Sequence, residues 1–530
     1  MVSHLTVWLK LRSILLHPAS WGWVIRLLLI GVFAWLAARH WHPHYGFTRM
    51  VQCDVAAAST MLPSLRDARL YVHPDPGSYD GFQYAQIATS PGLTDPALRT
   101  AIDDLGYRAR RILLSAFAWL LAWGDPAKAL QVYAALNVFA WFALAFVLWE
   151  LFPADDWRGT LAWIGTAFAT GTLLSVRLAL TDLVSLLFVA VSLQQLERGR
   201  RVWSGGLLGF AALARETALL GVAALLPERR VTRRSISSSA LAIAVAILPL
   251  ALWLAYVWHK AGSSGAGLRN FELPLFGWIH KAGDLLHAWT AEPNRPLVIT
   301  TALSFVALAV QALFLAFNLW QYSPWWRMGA AFAGLMILLG PAVWGDDLPG
   351  AAFRVLLPLG LAFNVIAVRQ KAALWILVLG NLSVGGGILS LYLVPHDAHE
   401  VAAGRVRAGS YVVHSSESWY PAEGRSNDTW AWCPQVGTLH LDTFPRSHAA
   451  RRFHLAFRGF TPCDLHVSSA GRDLWHGIAT ETIEWITVEA EPDAQGTYVL
   501  EVRSEQAPGR ENPNAGGRPL GFALCGVRLE

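Results

Sequence analysis

The chain has 530 residues, 54% of them hydrophobic, with 26 Trp and only 15% charged, against about 25% charged in ordinary soluble domains. That balance excludes a purely soluble enzyme and describes a polytopic membrane protein with a soluble part attached. The formal net charge of +5 is accounted for by basic loops between apolar runs, so it gives no warrant for nucleic acid.

In chain order, the first apolar run, Trp21 to Ala38, follows Lys10 and Arg12. It is long enough to stay as a span, and no cleavable signal peptide is expected. Further runs of spanning length lie at 130–150, 160–177, 178–195, 237–257, 298–318, 327–344, 351–368 and 373–394, which makes nine. Ile112–Trp123 is shorter and follows Arg108, Arg110 and Arg111, so it reads as an interfacial or re-entrant helix. Gly205–Leu226 is interrupted by Arg215-Glu216. Basic clusters flank it on both sides (Arg198, Arg200, Arg201; Arg229, Arg230, Arg233, Arg234), so it is expected to enter and return as two half-helices. With the N-terminus inside, the loops 39–111, 258–297 and 345–350 and everything after 395 then fall outside.

The first outer loop carries Ser78-Tyr79-Asp80-Gly81-Phe82-Gln83-Tyr84. The Asp80 carboxylate is expected outside the hydrocarbon but close to the bilayer surface, within reach of a lipid headgroup, Gly81 allows a tight turn, and Tyr79 and Tyr84 offer flat faces to a sugar or phosphate. The same outer face gathers Arg108, Arg110, Arg111, Arg177, Asp182, Arg269, Asn270, Asp346, Asp347 and Arg354. Ionisable groups at membrane depth are costly and line sites or cavities. Simpler readings stand beside this one: Arg177 snorkels to the interface, and Asp182 in Leu180-Thr181-Asp182 caps the following helix.

From about Ser410 the periodicity becomes two-residue alternation, as in Phe453–Phe457, Leu465–Val467 and Tyr498–Val502, with Thr438–Leu441 and Phe522–Leu529 as further strands. Turn signals fall at Ser469–Arg472 and Asp493–Gly496. The expected fold is therefore a polytopic all-α membrane domain over 1–395, a linker over 396–409, and an all-β sandwich or jelly roll over 410–530. Trp419, Tyr420, Trp430 and Trp432 either stack on glycan rings or fill the β core. Cys53, Cys433, Cys463 and Cys525 lack metal-ligand spacing, and pairing among the last three is left open.

The outer-loop Asp80-Gly81, the segment Tyr107-Arg108-Ala109-Arg110-Arg111-Ile112-Leu113-Leu114, Leu180-Thr181-Asp182 and Leu213-Ala214-Arg215-Glu216-Thr217 together resemble the GT-C superfamily of membrane glycosyltransferases, in its bacterial, PIG-V-like mannosyltransferase branch. The order Phe82-Gln83 departs from that branch, where Gln precedes the aromatic. The resemblance covers roughly residues 20–395. It implies a polyprenyl-phosphate-linked sugar as donor and a glycan or glycolipid hydroxyl outside a bacterial plasma membrane as acceptor. Asp80 is then the general base of a single inverting displacement. Arg108, Arg110 and Arg111, with Arg269 or Arg354 opposite, clamp the donor phosphate, while Tyr79, Tyr84, Asp182 and Asn270 support the substrates. The β domain is similar to carbohydrate-binding modules appended to some of these enzymes. No cofactor is required by this chemistry. A divalent cation is used by some relatives, and Asp346-Asp347 is the first place to look for one. The competing readings are a transporter or lipid flippase with a glycan-binding domain, and a non-catalytic assembly factor for envelope polysaccharide.

Overall fold

The computed structural model describes residues 21–227, 232–262, 266–291, 294–318, 323–345, 350–407, 409–425, 428–511 and 517–530. Lys10, Arg12, Arg229, Arg230, Asp346 and Asp347 lie outside them. The chain divides into two compact units. One holds the residues up to His40 and Phe47–Val394; the other holds Pro395–Glu530 and the short segment Trp41–Gly46.

The first unit is helical. Among the described residues, six helices are long and apolar enough to cross a membrane: Trp21–Ala38, Pro126–Leu151, Trp157–Arg177, Arg233–Ala261, Arg295–Phe317 and Leu374–Tyr392. The other three expected spans are shorter helices: Asp182–Glu197 has 16 residues, Pro324–Leu338 has 15 and Leu357–Arg369 has 13. At ~1.5 Å per residue these reach roughly 20–24 Å, against a hydrocarbon core of about 30 Å. Local sequence sets the boundaries. Asp125 accepts from the Lys128 amide at 3.0 Å ahead of Pro126, opening the 26-residue helix. Thr232 and Ser235 form a reciprocal capping box at the start of the 29-residue Arg233–Ala261 helix. That helix buries the stripe Ser239, Ala242, Ala246 and Leu250. It approaches the neighbouring helix so closely at Gly205 that an added Cβ would meet the Ala242 carbonyl oxygen at 2.3 Å. Its other faces expose Leu241, Leu248, Leu252 and Trp258, an apolar surface of the kind that lipid covers.

The two irregular segments take definite forms. Leu113–Leu121 is a nine-residue helix, about 13 Å long and too short to cross. The run 205–226 breaks at Arg215, whose extended backbone (φ −153°, ψ 120°) separates the helix Arg201–Ala214 from a 3₁₀ helix over Glu216–Leu225.

The second unit is all-β with antiparallel pairing. One sheet runs in the order Arg472–Ala479, Cys463–Ser469, Thr497–Ser504, Val436–Phe444, Gly409–Ser415, Glu400–Val406. The other runs Glu484–Ala490, Arg451–Gly459, Phe522–Leu529, Asp428–Cys433, Glu423–Arg425. Alternation fixes which side chains go inside: Leu439 and Leu441 pair in register with Leu500 and Tyr498. These four share one buried cluster with Phe453, Leu455, Phe457, Phe522 and Leu524 of the second sheet. Ala470 (φ 48°) and Gly471 (φ 78°) make the two-residue hairpin turn expected at 469–472. Residues 396–409, expected to be a linker, instead contain the edge strand Glu400–Val406. Its alternation is weak because both faces are only half-buried. Segment Trp41–Gly46 is anchored to the same unit by His42 on Glu400 at 2.8 Å and His44 against Ser410 at 3.2 Å. All four cysteines are free thiols, and burial pushes the Cys433 thiol up to about 12.

His414 and Asp397 form an ion pair at 3.4 Å beside that edge strand. Burial pulls the imidazole down, but the Asp397 carboxylate more than offsets it, so the His414 pKa ends above its ordinary value. A raised histidine pKa contributes stability that is complete below about pH 6.5 and lost as the pH climbs through the folded value. Asp397, held low despite its burial by His414, loses its share only in acid. Amide exchange over Glu400–Val406 and Gly409–Ser415, corrected for its intrinsic pH dependence, should therefore rise as the pH climbs above about 6.5 and through the raised His414 pKa. In His414→Gln that rise should vanish. Equal pH responses in both proteins would show that the pair does not hold this edge.

Candidate functional site

Asp80 is the first residue of the helix Asp80–Ile87, entered from an extended Tyr79 (φ −135°, ψ 171°). Two contacts from upstream fix that entry. The Asp54 carboxylate accepts from the amides of Gly77 at 2.9 Å and Ser78 at 3.0 Å, as well as from Ala57 at 2.8 Å. The Tyr79 amide donates to the Gln52 carbonyl at 3.0 Å. Those backbone amides hold the Asp54 carboxyl below its ordinary pKa. Gly81 does not make the tight turn expected of it but lies inside this helix, and it is required by close packing: an added Cβ would meet the Leu178 carbonyl oxygen at 2.1 Å. Phe82, Tyr84, Ala85 and Ile87 then bury the rest of the helix in the core.

Asp80 opens into a cavity of about 540 Å³. Five arginines line it, namely Arg108, Arg110, Arg111, Arg215 and Arg354, together with Glu216, Tyr79, Tyr107 and Asn270. The lining also includes the apolar side chains Phe271, Leu335, Leu339, Val343 and Val355. The structure thus brings Asp80, Tyr79, Arg108, Arg110, Arg111, Asn270 and Arg354 to one place. Arg269 is exposed on the short 3₁₀ helix Ala266–Asn270 and does not line this cavity. Tyr84 is buried behind it, where its hydroxyl accepts from Arg111 at 2.6 Å.

The arginines are held by carboxylates. Arg108 contacts Asp80 Oδ1 at 2.6 Å and grips Asp103 through Nε and Nη2 at 3.0 and 2.7 Å. Burial works against the charge on Arg108, and the two carboxylates more than restore it, so its pKa ends above the ordinary value. Arg111 is bidentate on Glu216 at 3.0 and 3.1 Å and also reaches the Tyr107 hydroxyl at 3.1 Å. The Arg108, Arg110 and Arg111 guanidinium groups all lie within 5.6 Å of the Tyr107 ring centre. Asp182, 3% exposed, pairs with Arg215 through Oδ1 and with Arg354 through Oδ2 at 3.3 Å. Arg354 in turn donates to the Tyr79 hydroxyl at 2.6 Å. The Nε atoms of Arg215 and Arg354 are buried without a partner among the described residues, so each keeps a donor for an anion.

One simpler reading is corrected. Asp182 does not cap its helix: the N-cap is Thr181, with no side-chain cap bond, and the Asp182 carboxylate is taken up by two arginines. Arg177 donates to the carbonyls of Arg49 at 3.5 Å and Leu393 at 3.3 Å and to Gln52 Oε1 at 3.2 Å. Asp54, Asp103, Tyr107 and Glu216 were not singled out as site residues. Only Glu216 carried a signal, as a carboxylate at apparent membrane depth. Among the described residues, no group of three His, Cys, Asp or Glu side chains is placed to hold a metal ion.

In the β unit, Trp419 is 2% exposed and packs edge-on against Phe522, so it is a core residue and offers no face to a glycan. Trp432 is buried as well, with the Arg458 guanidinium lying 5.0 Å from its ring centre and 5.3 Å from that of Trp430. Tyr420 is half-buried beneath Arg518, which is paired with Glu423 at 2.5 Å. Tyr420 and Trp430 thus keep part of their surfaces outside.

Comparison with protein-family models gives no match for this chain, and comparison with curated proteins gives none either.

Replacing Asp182 by Asn should cost roughly 3–5 kcal/mol, because two buried guanidinium groups lose their counter-charge. The cost should appear as a large fall in the thermal midpoint of the purified protein. An Asp182→Asn midpoint within about a degree of wild type would show that the pairing is not structural.

Proposed function

We propose that the chain is a membrane glycosyltransferase of GT-C type that moves a sugar from a polyprenyl-phosphate donor to a hydroxyl of a glycan or glycolipid. The observation that carries this reading is the mixed lining of the Asp80 cavity. Five arginines and a set of aliphatic and aromatic side chains line the same cavity, which suits a ligand that joins a phosphate to an isoprenoid chain. The unpartnered Nε atoms of Arg215 and Arg354 are donors for that phosphate, and Arg110 adds a further cation.

The reaction balances without a cofactor. The acceptor oxygen attacks the anomeric carbon from one face as the carbon–oxygen bond to the lipid phosphate breaks on the other. The acceptor proton passes to Asp80, and polyprenyl phosphate leaves as its anion. A sugar hydroxyl is a poor nucleophile, and a positioned carboxylate supplies about 10²–10⁴-fold. With Oδ1 engaged by Arg108, Oδ2 is the oxygen that receives the proton. The phosphate needs cationic stabilisation rather than protonation, which is the part assigned to the arginines. A nine-span count with the N-terminus inside places Asp80 and the β unit outside the cytoplasm of a bacterial plasma membrane. The β unit, read as a sandwich, holds the acceptor glycan through the outer surfaces of Tyr420 and Trp430.

Asp80→Asn should lower transfer by at least about 10²-fold while leaving folding intact; wild-type turnover by the purified variant would sink the mechanism. Single cysteines at Ser78 and Asn512 in a cysteine-free background should react with an impermeant thiol reagent in intact cells. One at Thr232 should react only after lysis. Opposite labelling at 78 and 512 would break the nine-span topology.

A further inference from the structure

A second cavity, of about 440 Å³, lies on the other side of the start of the Asp80 helix. Its lining includes Asp54, Ser78, Gln83, Arg99, Thr100 and Asp103. The two cavities are adjacent by covalent geometry: Ser78 lines one, and Tyr79 and Asp80 line the other. They also share an ion-pair relay, because Arg108 holds Asp80 of the first and Asp103 of the second at the same time.

From this chemistry we infer that the second cavity binds a neutral, hydroxyl-rich ring, the sugar of the acceptor. An anion is disfavoured there. Asp54 and Asp103 present two carboxylates against the single cation Arg99, and both stay ionised because hydrogen bonds hold their pKa values low: backbone amides for Asp54, and for Asp103 the Arg108 guanidinium, which outweighs the effect of burial. An apolar tail is disfavoured too, since hydroxyl, amide and charged groups make up most of the walls. What remains is a mixed set of donors and acceptors of the kind that reads sugar hydroxyls. Gln83 Oε1 is a buried acceptor without a donor among the described residues, and a ligand hydroxyl supplies one. Arg99 is held in place by donating to the Lys260 carbonyl, which leaves the rest of its fork for the ring. The role of the ring as acceptor rests on the transferase reading; the chemistry of the cavity does not.

The test uses the full-length protein in detergent. Methyl α-mannoside, methyl β-galactoside and methyl β-glucoside serve as ring probes by saturation-transfer NMR, and farnesyl phosphate reports on the arginine cavity. At least one glycoside should bind. Gln83→Ala and Arg99→Ala should each weaken it about 3- to 10-fold, the range of one hydrogen bond, while farnesyl phosphate binding stays unchanged. Gln83→Glu, which keeps an acceptor oxygen, should retain glycoside binding and guards against a mere folding defect. Glycoside binding that obeys this pattern without any sugar transfer would end the transferase reading and leave the site standing. Absence of binding by all three glycosides, binding indifferent to both alanine variants, or a parallel loss of farnesyl phosphate overturns the inference.

Discussion

The helical unit depends on the pairing of four arginines, Arg108, Arg111, Arg215 and Arg354, with four carboxylates in a place where unpaired charge is costly. Asp182 ties the start of one helix to Arg215, where the next helix breaks, and to Arg354 on a separate short helix. Arg111 ties the segment before Leu113 to Glu216 on the far side of the same break. Removing either partner of such a pair leaves a stranded buried charge, which explains why these contacts fix one arrangement of the helices rather than several. The break at Arg215 follows from the same constraint. A continuous helix from Ala214 through Glu216 would fix the Arg215 and Glu216 side chains about 100° apart around its axis, whereas the extended Arg215 lets one side chain reach Asp182 and the next reach Arg111.

Built on that frame, the loop before Asp80 needs little of its own. Asp54 and Gln52 hold the backbone of Gly77–Tyr79, Arg354 holds the Tyr79 side chain, and Arg108 holds Asp80. Gly81 admits the helix against Leu178. Each group that touches Asp80 or its neighbours is thus itself fixed by a second contact. A base that must act on a bound hydroxyl needs that kind of support, because a displacement near 1 Å is enough to lose much of its effect.

The sequence made some of this legible and hid the rest, for reasons that are physical. Period-two alternation exposed the central strands around Leu439, Leu455 and Leu500, and the glycine turn at Gly471 marked a hairpin. The charged pair Arg215-Glu216 announced a break. The edge strand Glu400–Val406 escaped because both of its faces are half-solvated, so it carries no clean pattern. For Trp419 the sequence left a glycan platform and a core residue both open, since an aromatic gives the same local signal in either setting, and it is a core residue. Which carboxylate meets which arginine was out of reach: Arg111 and Glu216 are 105 residues apart and Arg354 and Asp182 are 172 apart. Only the fold brings them together.

The start of the Asp80 helix borders two cavities of different chemistry, Ser78 lining one and Tyr79 and Asp80 the other. Its arginine side lies against apolar side chains, where a phosphate on a lipid is at home. Its other side carries two ionised carboxylates that repel phosphate and accept hydroxyls. Arg108 is the one charged group common to both, since its guanidinium spans Asp80 and Asp103. A ring hydroxyl that donated to Asp103 would compete with Arg108 for that carboxylate and leave more of the guanidinium's donors to Asp80. Occupancy of one side would then strengthen the electrostatics of the other without any movement of the backbone, because the two carboxylates draw on the same five donors.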